Sequence, residues 1–76
     1  MEEDITPIDR LILTTLKSSK KPLTTYKIAK KTKLSWSTAN THCYKLKSMG
    51  LLEMNKVKNR VGQIKIFWDL KDKSKE

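Results

Sequence analysis

Leu34-Ser35-Trp36-Ser37-Thr38-Ala39-Asn40-Thr41-His42-Cys43-Tyr44-Lys45-Leu46-Lys47-Ser48-Met49-Gly50 is the stretch whose reading decides the fold. A serine able to cap a helix opens it, and a glycine able to end one closes it. With Ala39 turned inward, Cys43 and Leu46 follow on the same side at i+4 and i+7. Leu34 and Ala39 are spaced as a hydrophobic staple around the cap. His42 and Met49 fall at the edges of that apolar side. The opposite side carries Ser37, Thr41, Tyr44 and Ser48, flanked by Asn40 and Lys45. The spacing therefore predicts a helix over about 35–49 with a narrow core face and an acid-free outer face.

Working back toward the N-terminus, Leu23 and Ile28 staple a second helix capped by Thr24. Ile28 and Ala29 point inward and Tyr26 partly so, whereas Lys27, Lys30 and Lys31 point outward; the helix ends around Thr32-Lys33. Pro22 separates it from an earlier helix and leaves Leu23 in a very short strand. That first helix starts at Thr6-Pro7, with Asp9 placed to reach back to the cap. Ile8, Leu11, Ile12, Thr15 and Leu16 form its apolar face, and it fails near Ser18-Ser19.

Past Gly50 the period drops from 3.6 to about 2. Leu52 and Met54 alternate with Leu51 and Glu53, and Ile64, Ile66, Trp68 and Leu70 alternate with Lys65, Phe67 and Asp69. Asn59-Arg60-Val61-Gly62-Gln63 supplies the turn between them, so the segment reads as an antiparallel hairpin. Phe67 and Trp68 lie on opposite faces of one strand and cannot share a core. One of them is expected to meet a partner subunit together with the first helix. The fold class is α+β: three helices, a short strand and a C-terminal two-stranded hairpin. The domain is expected over 6–70, with 1–5 and 71–76 as polar, flexible termini.

The chain has 76 residues, enough for one small core. Its formal net charge is +9, and from Arg10 to Trp68 the single acid is Glu53. A middle so depleted of negative charge has a strong positive field, for which duplex DNA is the expected partner. The lone cysteine, Cys43, allows no internal disulfide, and no Cys/His spacing suits zinc. No apolar run approaches a membrane span, and the acidic start is unlike a targeting peptide. The expected setting is cytoplasmic, with no membrane partner.

The order of elements resembles the winged helix-turn-helix regulators, including the broad groups around the multiple-antibiotic-resistance and arsenic-resistance repressors. Three local matches carry the resemblance: Leu23-Thr24-Thr25-Tyr26-Lys27-Ile28-Ala29 at the second helix, Leu34 to Cys43 at the turn and recognition helix, and Leu46-Lys47-Ser48-Met49-Gly50-Leu51-Leu52 into the first wing strand. The resemblance spans roughly Ile8 to Leu70. It implies sequence-specific binding of double-stranded DNA by a transcriptional regulator that works as a homodimer. The lysine-over-arginine bias is similar to that of small regulators from archaea and their viruses.

A helix fits the major groove, where base edges are read by short or flexible polar side chains. Ser37, Asn40, Thr41, Tyr44 and Lys45 meet that need on the third helix. Asn40 suits bidentate pairing with adenine, and Lys45 suits guanine or a phosphate. Ser35 and Thr38 flank a helix N-terminus, where free amides favour a phosphate, although Ser35 also serves as its own cap. Thr25 and Lys27, with Tyr26, occupy the start of the second helix, which the resemblance implies touches the DNA backbone. Trp36 either braces the second helix or lies against the sugar-phosphate. Lys58, Arg60 and Lys65, with Lys56, make a basic wing over about 56–65 around a flexible tip, and Arg60 suits a narrow minor groove.

His42 reads as a partly buried packing residue, and Cys43 as a small core residue. No carboxylate pair, activated nucleophile, phosphate-cradling loop or metal cluster suggests an enzyme, and Asp4 and Asp9 sit on an acidic end piece with nothing to work with. No cofactor and no small-molecule effector can be inferred. Two other functions share this fold: a protein-interaction module in a larger assembly, and a non-specific architectural DNA binder.

Overall fold

A computed structural model of the chain describes residues 5–71, which form three helices and three strands. Of the termini read as flexible, 1–4 and 72–76 lie outside the described residues. Ile5 packs against the core, and the Lys71 amide donates to the Leu51 carbonyl at 3.1 Å.

Helix α1 (Pro7–Ser18) begins at a closed capping box. Thr6 Oγ1 accepts from the Asp9 amide at 3.1 Å, and Asp9 Oδ2 accepts from the Thr6 amide at 2.9 Å. Its buried side chains are Asp9, Ile12 and Leu16, and Leu13 packs beside them. Leu11, assigned to the apolar face by periodicity, is instead 42% exposed. The buried stripe is rotated toward Leu13 because Asp9, on that side, is drawn in beneath the third helix.

Strand β1 (Leu23–Thr24) leads directly into α2 (Thr25–Thr32), whose cap is Thr24 Oγ1 accepting from the Lys27 amide. Lys33 ends α2 in the left-handed region at φ 62, and the Leu34 amide closes onto the Ala29 carbonyl at 3.0 Å. This tight exit aims α3 (Trp36–Ser48), which Ser35 caps through the Thr38 amide. Gly50, at φ 82, lets the chain turn out of α3 into the sheet.

Strands β2 (Leu52–Lys58) and β3 (Ile64–Leu70) pair antiparallel as the alternation predicts. The sheet has three strands in the order β1-β3-β2, since β1 adds to the free edge of β3 with Leu23 opposite Trp68. The core joins Ile12, Leu16, Leu23, Ile28, Ala39, Cys43, Leu46, Leu52 and Trp68. Trp68 takes the core side of β3, and Phe67 remains half-buried on the other.

Asp9 is fully buried and holds α1 against α3. His42 Nδ1 donates to its Oδ1 at 2.6 Å, and Lys45 Nζ donates to its Oδ2 at 2.7 Å. The acid read in the sequence only as a partner of the α1 cap thus also binds two side chains of α3. Burial alone would raise its carboxyl. Hydrogen bonds from Lys45, the Thr6 amide, His42 and the Thr6 hydroxyl together outweigh that and hold it well below the usual carboxylate range.

Two outcomes follow. Asp9→Asn is expected to cost about 3 kcal/mol, the low end for breaking a buried pair because Lys45 and His42 both reach solvent. A depressed folded-state carboxyl contributes stability that is complete above its ordinary value of 3.8 and is lost as pH falls below it. Urea denaturation from pH 7 to pH 2 measures both (about 5 units of pH): the wild type should weaken below about pH 4, with a smaller acid-dependent loss in Asp9→Asn.

Candidate nucleic-acid interface

At 100° per residue, the surface of α3 divides into three sides. Ser37, Thr41 and Ser48 face outward and are exposed. His42 and Lys45 turn toward the start of α1, with Thr38 one turn before His42 on the same side. Trp36, Asn40 and Tyr44, spaced i, i+4 and i+8, turn toward the wing and line a cleft of about 510 Å³.

This division separates residues that periodicity had grouped. Lys45 leans onto buried Asp9 and is not a free reading group on the outer face. His42 is the partly buried packing residue expected, with the added role of an Asp9 partner. Ser35 Oγ caps α3 and donates to Thr38 Oγ1 at 2.9 Å, so both hydroxyls already serve the helix start.

Thr25 is not on the surface. It is buried, and its Oγ1 accepts from Trp68 Nε1 at 2.8 Å. The small hydroxyl expected to meet a DNA backbone instead satisfies the indole of the largest core side chain. Trp68 also meets the Tyr44 ring edge-on, with centroids 5.1 Å apart and planes at 86°. Thr25, Trp68 and Tyr44 thus link α2, β3 and α3, and fix the Tyr44 ring while leaving it 40% exposed.

Lys27 is exposed at the start of α2. Tyr26, expected to point partly inward, is 62% exposed, with Lys30 Nζ 5.7 Å from its ring centre. Trp36 is 54% exposed. Of its two readings, bracing of α2 is therefore incomplete at best, because half the indole is left for solvent or a ligand.

Lys58, Arg60 and Lys65 are exposed on the wing. The tip was expected to be flexible but is cross-tied. Asn59 Oδ1 accepts from the Val61 and Gln63 amides, the Asn59 amide donates to the Gln63 carbonyl at 2.9 Å, and Gly62 adopts φ 87. Sequence reasoning missed that β3 outruns the helices, so that Ile64 and Ile66 line the cleft on the core side of the strand. The available signal was length: β3 alternates for seven residues, more than a three-helix core can cover.

Cys43 is fully buried, and burial pushes its thiol up to about 12, which disfavours the thiolate. Among the described residues no group of three or more His, Cys, Asp or Glu could hold a metal, and no helix is long and apolar enough to cross a membrane.

No protein-family model matches the sequence, and no curated protein is detectably similar to it. Solved structures are similar in fold. A possible transcriptional regulator from Methanosarcina mazei superposes with a TM-score of 0.77 at 18% identity over 92% of this chain and 61% of that one. A zinc-responsive member of the MarR family from Lactococcus lactis gives 0.75 at 22% identity, over 97% of this chain and 49% of its own. A PadR family transcription regulator from Clostridium difficile gives 0.73 at 23% identity, over 92% and 77%. The chain therefore has the winged helix-turn-helix fold, as its sequence predicts, and spans between about half and three-quarters of these regulators' lengths.

The bond between Thr25 and Trp68 sets a test of this architecture. Thr25→Val leaves the buried indole N–H without an acceptor and should lower stability by about 1–3 kcal/mol, whereas Thr25→Ser should retain most of it. Thermal unfolding of the three proteins measures the difference.

Proposed function

We propose that the chain binds double-stranded DNA sequence-specifically as a transcriptional regulator, laying α3 in the major groove and the wing along the backbone. The observation that carries this reading is the uncovered, acid-free outer side of α3, standing beside a wing whose exposed charges from Met54 to Trp68 are all positive. Ser37, Asn40, Thr41 and Tyr44 are the base-reading candidates. Ser35, Trp36, Thr38, Lys27, Lys58, Arg60 and Lys65 are backbone or groove candidates. Lys45 serves chiefly to position α3 through Asp9. The regulators with the same fold support this reading through their described roles. A homodimer in the cytoplasm belongs to the same proposal; two copies would read half-sites roughly 34 Å apart, and exposed Leu11 on α1 offers apolar surface for the contact.

A second reading, a protein-interaction module, is favoured by one observation: the cleft beside α3 is walled by Tyr26, Trp36, Tyr44, Ile64 and Ile66. Its rim of Lys27 and Lys65 fits an anionic partner better than an apolar one.

Fluorescence anisotropy on duplexes across a salt series separates the two. The DNA reading expects log K to fall against log salt with a slope of about −5 or steeper. Arg60→Ala should flatten that slope by about 1, and Asn40→Ala should cost about 1–3 kcal/mol on a selected site while sparing random duplex. Salt-insensitive binding, or none, would sink it, and equal affinity for selected and random duplexes would reduce it to architectural binding.

A further inference from the structure

We propose that the cleft between α2, α3 and the wing holds an unpaired nucleobase at the edge of bound DNA, so that the protein prefers duplexes with a locally unpaired segment; this rests on the DNA-binding reading above. A closed duplex presents phosphates, sugars and base edges, and it keeps the flat faces of its bases stacked inside. The ring faces that wall this concavity find no base face to stack on along such a rod. An unpaired base has two π-faces to cover and a hydrogen-bonding edge to satisfy, and aromatic side chains in a basic groove meet both demands.

The cleft has these parts in order. Trp36, Asn40 and Tyr44 form one stripe along α3, each about 6 Å above the last. An amide offering both donor and acceptor thus sits between two aromatic rings. Tyr44 is fixed from behind by Trp68, which Thr25 anchors in turn, so its ring needs little ordering on binding. Ile64 and Ile66 close the wing side with apolar surface, and Tyr26 closes the α2 side. Lys27 and Lys65 stand at the rim where the phosphates flanking an everted nucleotide would lie, and no acid lines the cleft. At about 510 Å³ the space accommodates a base together with its sugar.

The test uses the full chain and two labelled duplexes of about 20 base pairs with the same random sequence, unrelated to any selected site, one fully paired and one with a central thymine bubble of about three nucleotides. Anisotropy at a single salt concentration should show the bubble bound about tenfold tighter or more. Bubble DNA should also quench tryptophan fluorescence more strongly than paired DNA, because Trp36 is exposed and Trp68 is buried. Trp36→Ala and Asn40→Ala should each bring the affinity ratio to within about twofold. Trp36 is a half-exposed residue whose removal leaves the core intact. Equal wild-type affinities with a steep salt dependence would overturn this proposal and leave duplex binding standing. A bubble preference that survives both substitutions would also overturn it. Failure to bind either duplex would overturn both readings.

Discussion

Trp68 is the constraint on which the arrangement depends. It lies on the central strand, opposite Leu23 on one side and Met54 on the other, and is wholly buried. Burying so large a side chain is the biggest single apolar contribution available to a domain this small, and it forces the sheet against the helices. Its indole N–H then requires an acceptor, which Thr25 at the start of α2 supplies. Its ring also packs against Tyr44 on α3 with the two planes nearly perpendicular. One residue therefore sets the position of the wing relative to both helices of the helix-turn-helix.

A second tie acts on the far side of α3. Asp9 draws His42 and Lys45 toward α1, and Trp68 draws Tyr44 toward the sheet. Held from both flanks, α3 presents the intervening strip of Ser37, Thr41 and Ser48 to solvent in a fixed orientation. Such preorganisation matters for reading a groove, because side chains already in place lose less entropy on binding. The polar knot at Asp9 is costly to bury but is fully satisfied, and it ties His42 and Lys45 of α3 to the start of α1.

The elements were legible because their boundaries are written in local chemistry. Thr6, Thr24 and Ser35 cap where they were expected to cap, and Gly50 takes the positive φ that ends α3. The site was less legible, since its parts are separated by what packs beside them. Asn40 and Lys45 fall on opposite edges of the outer face, and the wheel does not say that the wing flanks one and the start of α1 the other. The pairing of Asp9 with Lys45 spans 36 residues, and that of Thr25 with Trp68 spans 43. Periodicity carries no signal at such separations. It reports which side of an element is buried but not which neighbour covers it, and so the cleft between β3 and α3 could not be read from either segment alone.

The strip along α3 and the adjoining wing are the proposed nucleic-acid surface. Backbone amide chemical-shift mapping by NMR during titration with duplex DNA tests it most directly. The shifts should gather at Ser37, Asn40, Thr41, Tyr44, Lys58, Arg60 and Lys65, with the outer face of α1 around Arg10, Thr14 and Lys17 unmoved. Shifts gathered on α1 instead, with α3 and the wing silent, would contradict it.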